Sequence, residues 1–443
     1  MRSPAAVRSP GRRQGVTADT HRAIEAVWRI ESARLIGGLA RLVKDVGLAE
    51  DLAQDALVAA LERWPESGVP DNPGAWLMAT AKHRAIDHLR RRKLLDTKHE
   101  ALGHELEAEQ QRTAPDLDRL DDDFGDDILR LIFTTCHPVL SPEARVALTL
   151  RLLGGLATEE IARAFLVPEA TIAQRIVRAK RTLREAHVPF EVPRGAERAS
   201  RLASVLAVIY LVFNEGYSST AGDDWARPAL CEDAVRLARV LAELAPQEPE
   251  VHGLAALLEI QSSRLRARLG PAGEPILLLD QDRGRWDQLL IRRGLKALER
   301  AQALGGAYGP YTVQAAIAAC HARARTPEET DWTRITALYD ALAQLTPSPV
   351  VELNRGVAYA MAFGPAAGLE IVDPLRDDPT LKEYHLLPAV RADFLARLGR
   401  VEEARGELHR AAALTRNTRE RTLLMERAES LPRGSEPRGT RAG

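Results

Sequence analysis

The side chains best suited to a chemical task in this sequence are cations that recur at helical spacing within residues 158 to 184, TEEIARAFLVPEATIAQRIVRAKRTLR. The buried face of one helix is predicted from apolar residues spaced by 4, 3 and 4 positions: Ile172, Ile176, Ala179 and Leu183. The opposite face carries Thr171, Gln174, Arg175, Arg178 and Arg181. Such a face can bind phosphates and base edges in a DNA major groove. The alternative is an amphipathic helix whose basic side only faces water.

A shorter helix is predicted immediately before this one. Thr158 can cap it, and Glu159 and Glu160 would lie in its first turn, where carboxylates interact favourably with the helix dipole. A short turn follows at Leu166, and Pro168 suits the first position of the next helix. Many such turns contain glycine where Leu166 stands, so we expect a turn of different shape. The pair predicts a helix-turn-helix.

A second group of cations lies in PGAWLMATAKHRAIDHLRRRK, residues 73 to 93. The cations are Lys82, Arg84, Arg90, Arg91, Arg92 and Lys93. Only one acid, Asp87, accompanies them, and this excess is typical of a surface that binds a nucleic-acid backbone. Trp76 could stack on an unpaired base. Its position directly before Leu77 and Met78 instead favours a place in the core.

An acidic helix is predicted from AEDLAQDALVAALERW, residues 49 to 64. Its predicted buried stripe consists of Leu52, Ala56, Leu57, Ala60 and Leu61. Its acidic and amide residues, which project elsewhere, are Glu50, Asp51, Gln54 and Asp55. Such a face can bind a basic surface of a partner protein, or it can simply be solvated.

The chain of 443 residues is long enough for two or three domains. Abundant alanine, leucine and arginine, with only 5% aromatic residues, predict an all-α protein. We expect a disordered basic leader at 1–19, helical blocks at 20–95 and 128–190, an acidic linker at 96–127, a helical extension at 195–430 and a disordered tail at 431–443. The linker ends in DRLDDDFGDD. This run could fold over a basic surface as a DNA mimic, but a solvated linker that caps the next helix is the simpler interpretation.

The three cysteines, Cys136, Cys231 and Cys320, are far apart in the sequence and form no CxxC pair. Neither a disulfide framework nor a zinc site is therefore predicted. The sequence also has no apolar run long enough for a signal peptide or a membrane span. We expect a reduced, cytoplasmic protein with no membrane contact, no metal and no cofactor.

The extension contains two similar segments, RGVAYAMAFGPAAGLEIVDPL and RADFLARLGRVEEARGELHRAAAL, with turns at Gly364 and Gly399. Their spacing is close to the tetratricopeptide period and predicts tetratricopeptide-like helical hairpins. The extension has no nucleotide-binding glycine loop, nucleophile elbow or metal-ligand spacing. Two polar motifs, FNEGYSS at 213–219 and QDRGRWD at 281–287, could line a ligand pocket. We favour buried hydrogen-bond networks for both motifs.

Taken together, these segments resemble a known family. Residues 141 to 187 resemble region 4 of a bacterial sigma factor, which reads the −35 promoter element. Residues 49 to 64 are similar to the region 2 helix that binds the clamp of RNA polymerase, and residues 73 to 93 to the segment that binds and opens the −10 element. Two such modules joined by a variable linker are the layout of extracytoplasmic-function (ECF) sigma factors. The extension resembles that of a subgroup with a C-terminal tetratricopeptide-like domain.

The resemblance implies an all-α fold with a sigma region 2 helical bundle, a sigma region 4 helix-turn-helix and a C-terminal α-helical tetratricopeptide-like repeat domain. It implies binding to core RNA polymerase and promoter DNA, without covalent chemistry. Asp51, Gln54 and Asp55 would contact polymerase. The implied −10 contacts are Trp76, Lys82, Arg84, Arg90 and Arg91, and the implied −35 contacts are Thr171, Gln174, Arg175, Arg178 and Arg181. His83 replaces a residue that is often Asn in the family, which leaves the −10 sequence preference open.

Two other classes of protein remain compatible with parts of the sequence. A one-component repressor or activator with a ligand-sensing helical domain would explain the helix-turn-helix and the extension. It would not explain the acidic helix and the cationic segment of the first block. A scaffold or hydrolase built on the extension has no positive motif. A protein or small-molecule regulator could bind the extension under either of the first two interpretations.

Overall fold

The computed structural model describes residues 11–100, 124–165, 167–217, 227–271 and 274–432. These residues form α-helices and short 3-10 turns but no strand, which confirms the predicted all-α fold for the described part of the chain. The helices are α1 (Gly11–Val43), α2 (Val46–Ser67), α3 (Pro73–Glu100), α4 (Phe124–Thr135), α5 (Pro142–Leu152), α6 (Thr158–Phe165), α7 (Glu169–Glu185), α8 (Gly195–Tyr217), α9 (Pro228–Leu244), α10 (Pro249–Ser262), α11 (Gln288–Ala303), α12 (Pro310–Arg323), α13 (Trp332–Leu345), α14 (Pro349–Phe363), α15 (Pro365–Val372), α16 (Leu386–Arg397), α17 (Val401–Leu414) and α18 (Thr418–Ser430).

Three helices extend into segments that the sequence analysis predicted to be a disordered leader or an acidic linker. Helix α1 already begins at Gly11, within the predicted leader, and α3 and α4 reach into the predicted linker. Residues 1–10, 101–123 and 433–443 lie outside the described residues, so the remainder of the leader, linker and tail predictions stays untested. The chain divides into two compact units, residues 1–208 and 209–443.

The first three helices form a bundle in which α2 and α3 both pack against α1. Its centre holds Leu35, Leu39, Trp64 and Leu77, all almost fully buried. Helix α2 contains Pro65 and ends two residues later at Ser67. Its C-terminus is closed by Gly68, whose N–H donates to the Trp64 carbonyl at 2.9 Å and whose φ is 84°.

The second module begins with α4, which packs against α1 and is followed by α5, α6 and α7. The acidic run DRLDDDFGDD ends at Asp127, which lies in the contact between α4 and α1. Asp127 is fully buried and forms ion pairs with Arg41 of α1 at 3.2 Å and with Arg130 at 2.7 Å. The end of the acidic run therefore fixes the N-terminal turn of α4 against the first bundle. The residues proposed as a DNA mimic, 118–123, lie outside the described part of the chain.

The N-terminal half of α8 completes the second module, although the sequence assigns it to the extension. Arg201 donates to the buried Phe133 carbonyl at 2.8 Å, and Ser204 donates to the Cys136 carbonyl at 2.8 Å. Arg145 of α5 in turn donates to the Ser204 hydroxyl at 2.9 Å. A truncation at residue 194 would leave these carbonyl groups without their donors. The structural boundary of the module is therefore near residue 208.

The second unit consists of successive helices, each packed against the next. Helices α14 and α15 are joined at Gly364, with a φ of 99°, and α16 and α17 at Gly399, with a φ of 77°. Glycine adopts this left-handed conformation without the strain that a Cβ would introduce. The predicted turns at these two glycines are therefore found in the structure.

The Arg201 contacts predict a local effect on the second module. Arg201→Ala removes a charged donor from a buried carbonyl, so the free energy of opening α4 and α5 should fall by about 2–4 kcal/mol. Hydrogen exchange of their amides in the full chain measures this change. Arg194→Ala, at an exposed position, is the matched control. Equal protection in the two variants would show that the α8 contacts do not stabilise the module.

Candidate nucleic-acid interface

Helix α7 has the two faces that its sequence predicts. Ile172, Ile176, Ala179 and Leu183 are all buried. Of the predicted DNA contacts, Gln174, Arg178 and Arg181 are exposed, and Thr171 and Arg175 are half-buried. Within the described chain, the side chains of Gln174 and Arg178 make no hydrogen bond or ion pair, and the Arg181 side chain pairs with Glu185 at 3.5 Å. This face is therefore available to a ligand in the arrangement seen here.

The helix before α7 starts differently from the expectation. Thr158 is the first residue of α6 and not its cap, and the Ala157 N–H is satisfied by the Glu160 carboxylate at 2.8 Å. Pro168 stands at the N-cap position of α7, one residue before the helix begins. Leu166, at which the unusual turn was expected, lies outside the described residues. The helix-turn-helix thus begins with a carboxylate in the first turn of α6 that accepts from the N–H of the residue just before the helix.

The second predicted DNA surface lies on α3. Lys82 and Arg84 are half-buried, whereas Arg90 and Arg91 are exposed. Lys82 lines a cleft of ≈ 430 Å³ between α1 and the start of α3. Arg84 lies 3.4 Å from the Asp55 carboxylate of α2. One predicted DNA contact is therefore paired with one predicted polymerase contact.

Trp76 is held within the first bundle. Its ring packs edge to face against the fully buried Trp64, with 5.4 Å between the ring centres. Because the side chain is half-buried, part of its surface remains accessible to a base. The geometry favours the core interpretation, and a stacking role stays a prediction.

The acidic face of α2 is rotated relative to the prediction. Asp51 and Asp55 are exposed, with 71% and 62% of their side chains accessible. Glu50, by contrast, is only 2% exposed, and Leu61 of the predicted buried stripe is exposed. The stripe that is actually buried runs through the small residues Ala49, Ala53, Ala56, Ala59 and Ala60, with Leu52 and Trp64. Alanines occur on several sides of α2, so the difference in hydrophobicity between its faces is small. The sequence pattern therefore did not identify which face is buried.

Glu50 is buried at a contact between α2 and the second module. Its Oε1 accepts hydrogen bonds from Arg151 Nε of α5 and from Gln54 Nε2, both at 2.6 Å. Its Oε2 lies 2.5 Å from Lys180 Nζ of α7, in ionic contact but without hydrogen-bond alignment. Lys180 also lies 3.7 Å from the Asp51 carboxylate.

A second ion pair joins the same two helices. Asp45 caps α2 by accepting from the Leu48 N–H at 3.0 Å, and it also binds Arg184 Nε of α7 at 2.6 Å. Burial alone would raise the pKa of the Asp45 carboxyl, but its bonds to Arg184 and Leu48 outweigh burial and lower the pKa below its ordinary value. Beside this pair lies a cleft of ≈ 530 Å³, lined by residues that include Lys44 and His187.

The sequence analysis missed these inter-module residues: Asp45, Glu50, Arg151, Lys180 and Arg184. A signal was present for two of them. Glu50 is three residues before the buried Ala53, and Lys180 is four residues after the buried Ile176, so each continues an apolar face. A charge at such a position indicates a buried ion pair, but the spacing does not identify the partner.

Comparison with known proteins bears on both modules. The chain matches the family Sigma-70 region 2 at residues 30–94 and Sigma-70, region 4 at residues 130–183. Residues 201–302 match a family of unknown function, DUF6596. A relative in Rhizobium meliloti (strain 1021), "Uncharacterized protein R00370", is 44% identical over 398 residues, covering 89% of this chain and 93% of that protein.

Other relatives carry functional names, and two of them are described here. "Probable ECF RNA polymerase sigma factor SigI" of Mycobacterium tuberculosis (strain ATCC 25618 / H37Rv) is 29% identical over 192 residues, covering 42% of this chain and 63% of that protein. "ECF RNA polymerase sigma factor SigC" of Mycobacterium tuberculosis (strain CDC 1551 / Oshkosh) is 29% identical over 143 residues, covering 32% and 71%. The chain therefore contains matches to two Sigma-70 regions and is similar over part of its length to named ECF sigma factors. Sigma factors are transcription initiation factors and not enzymes, and these matches support the predictions of sigma regions 2 and 4 and of a protein without catalytic activity.

The two polar motifs of the extension both lie in the DUF6596 match, and they form internal networks. In QDRGRWD, Arg283 is buried and donates to the carbonyls of His321 and Ala324, at 2.8 and 2.9 Å, and to the Thr330 hydroxyl at 3.0 Å. In the described part of FNEGYSS, Tyr217 donates to Gln261 at 2.9 Å. Arg283 thus stabilises the C-terminal end of α12, where carbonyl groups lack helical partners. These contacts favour the network interpretation over a ligand pocket.

The described residues contain no group of three or more His, Cys, Asp or Glu side chains arranged to hold a metal ion. Cys136, Cys231 and Cys320 are free thiols and are buried. Within the same residues, no helix is both long and apolar enough to cross a membrane.

The Arg283 network predicts a pH-dependent stability. Burial, with the nearby Arg264 and Arg283 cations, lowers the pKa of His321 to about 3. The unfolded chain binds a proton at this histidine near its ordinary pKa of about 6.5, so stability should be lost as the pH falls below that value. Urea unfolding of the second unit at about pH 7 and about pH 5 measures the loss, and His321→Phe should reduce it. The exposed His409→Gln is the control, and an equal reduction in both variants would contradict the assignment.

Proposed function

We propose that this sigma factor binds core RNA polymerase through α2 and directs promoter recognition through α3 and α7, with the extension regulating or supporting its activity. The proposal rests on one observation: the first unit contains two modules, and each presents a different charged surface. One presents exposed carboxylates on α2 beside the cations of α3, and the other presents an exposed polar and cationic face on α7.

The polymerase contact is assigned to Asp51, Gln54 and Asp55. Asp51 and Asp55 project from one side of α2 and are separated by one helical turn, so a basic surface can reach both. Exposed Val58 and Leu61 continue along the helix and add apolar area beside the acids. A mixed acidic and apolar surface of this kind suits a basic protein partner.

The DNA contacts are assigned to two helices. Arg90 and Arg91, with Lys82 and Arg84, supply the cations for the −10 element. Trp76 is retained as a candidate for base stacking through the part of its ring that stays accessible. On α7, Gln174, Arg178 and Arg181 are the exposed candidates for reading the −35 element, with Thr171 and Arg175 beside them.

The architecture of the extension supports the role proposed for it. Successive packed helices with glycine turns resemble tetratricopeptide repeats, whose surfaces bind peptides and proteins. A protein or small-molecule regulator is therefore proposed as its partner. R00370 shares the extension, because its match covers 89% of this chain. The extension thus belongs to a recurring layout of modules.

Transcription with purified core polymerase tests the assignment. The full chain and a chain ending at residue 208 should both support promoter-dependent transcripts, and their difference gives the sign of the extension's effect. The end point at residue 208 retains the Arg201 and Ser204 contacts. If neither chain binds polymerase or initiates on promoters selected by its own DNA binding, the protein is instead a one-component regulator.

The −35 assignment predicts the effect of single substitutions on α7. Arg178→Ala should weaken promoter binding of the polymerase complex by about 1–3 kcal/mol if the side chain reads a base, and Arg175→Ala should behave in the same way. Fluorescence anisotropy at fixed salt measures the affinity, and exposed Arg63→Ala on α2 is the control. Unchanged affinity in either α7 variant would remove that residue from the interface.

A further inference from the structure

Two buried arginines of the second unit lie over one indole ring. Arg264 follows α10, and Arg283 and Trp286 lie in the segment between α10 and α11. The exposed fractions of these three residues are only 9%, 8% and 3%. The guanidinium carbons of Arg264 and Arg283 lie 5.4 and 5.1 Å from the centre of the Trp286 ring. Two positive charges are therefore enclosed at one place in the fold.

The described part of the chain supplies only neutral partners to these two cations. Arg264 donates to the side-chain oxygens of Gln261 at 3.0 Å and of Gln281 at 3.4 Å. Arg283 donates to two backbone carbonyls and a hydroxyl. The carboxylates that attract Arg283 belong to the turn Pro327–Glu329 and form no ion pair with it among the described residues. Buried charges are normally paired with opposite charges, so this cluster has an excess of positive charge.

The histidine beside the cluster is affected by this excess charge. Arg283 Nη1 donates to the His321 carbonyl at 2.8 Å. Burial, together with the cations of Arg264 and Arg283, lowers the pKa of His321 to about 3. Burial and the Arg264 cation also lower the pKa of Arg283. A further positive charge is therefore disfavoured at this place, whereas a negative charge would be stabilised.

Three nitrogen atoms of the same cluster are buried without a hydrogen-bond partner among the described residues. They are Arg283 Nε, Trp286 Nε1 and His321 Nδ1. Arg264 Nη2 also makes no hydrogen bond in that part of the chain, but it is not fully buried. Guanidinium and indole nitrogens can only donate, and buried donors without an acceptor are rare because they are costly. The cluster thus combines positive charge with donors for which the described chain offers no acceptor.

The donors and the charge together indicate the chemistry of a ligand. Water can accept from the donors, but it cannot neutralise two cations. A small anion does both. A carboxylate presents its two oxygens in one plane, whereas a phosphate group presents its oxygens tetrahedrally and is bound well by arginine. Because three of the four donor atoms are fully buried, the part of the ligand that reaches them must be an ion or a terminal phosphoryl group.

We propose that Arg264, Arg283, Trp286 and His321 form a binding site for a small phosphate compound in the second unit. The carbonyls and the hydroxyl that bind the Nη atoms of Arg283 hold its guanidinium in place and leave Nε for the ligand. Arg264 Nη2 supplies a charged donor at the accessible side of the site. The site gives a chemical class to the small-molecule regulator proposed for the extension, and it rests on the proposed function only for that regulatory role.

The indole N–H resonance of Trp286 tests the site in the unsubstituted full chain. The tryptophans are labelled with nitrogen-15, and the resonance is assigned by its loss in Trp286→Phe. Inorganic phosphate, exchanged for chloride at constant ionic strength, should shift this resonance along a saturable curve. Trp64 is the internal control, because its Nε1 is also buried without a partner but belongs to the first unit. A stationary Trp286 resonance, or an equal shift of both resonances, would overturn the proposal.

A substitution of Arg264 tests the contribution of its charge. Arg264→Gln should weaken the binding of inorganic phosphate by at least about tenfold, because it removes one of the two buried cations and a charge-assisted hydrogen bond. Calorimetry of the full chain measures the affinity. Arg266→Gln removes the same charge from an exposed position two residues away and should bind phosphate as the unsubstituted chain does. Equal affinities of the two variants contradict the site, and the indole measurement remains decisive if Arg264→Gln does not fold.

A comparison of probes identifies the source of the phosphate group. Binding of inorganic phosphate but not of glycerol phosphate supports a site for the free ion, and tighter binding of glycerol phosphate supports a site for a phosphate monoester. Tighter binding of acetate than of either would overturn the assignment to phosphate, and binding of none would show that water satisfies the donors. None of these measurements uses polymerase or promoter DNA. Their failure therefore leaves the proposed function intact, and a chain that does not initiate transcription can still bind phosphate.

Discussion

The buried carboxylate of Glu50 is the constraint on which the arrangement of the first unit depends. A charge that is only 2% exposed must be paired, and its partners here, Arg151 and Lys180, come from two helices of the other module. The positions of α5 and α7 against α2 are therefore set by one carboxylate, together with the Asp45–Arg184 pair beside it. Because these contacts are polar, they fix the register of the modules more than they add to stability.

Much of the fold was predictable because helical periodicity reports burial directly. On α7 the contrast between isoleucine and arginine is large, and every predicted buried residue is buried. On α2 the contrast is small, because alanines occur on several sides, and the prediction placed Leu61 inside and Glu50 outside. The inter-module pairs could not be predicted, since their partners lie about 100 or more residues apart in sequence and spacing carries no information on such contacts.

The polar motifs of the extension illustrate a related ambiguity. QDRGRWD has the composition of a binding site, yet Arg283 donates to the carbonyls of His321 and Ala324 and so stabilises a helix end. A buried arginine in a helical array has either a ligand or backbone carbonyls as its partner, and both leave the same pattern in the sequence. The boundary between the second module and the extension shows the same ambiguity. The sequence analysis assigned Arg201 to the extension, but its side chain donates to a carbonyl of the second module.

A polar contact between the two modules of the first unit differs physically from an apolar one in what its separation costs. Opening an apolar interface exposes hydrophobic surface to water at about 25 cal/mol per Å², and the penalty grows with the area separated. Opening an ion-paired interface returns each charge to water, which solvates it well, or to a new partner of opposite charge. Asp45 and Glu50 therefore hold α7 against α2 through contacts whose separation carries no hydrophobic penalty. An apolar seam between α2 and α7 would stabilise the packing of the two modules more strongly, and its separation would cost the full hydrophobic penalty.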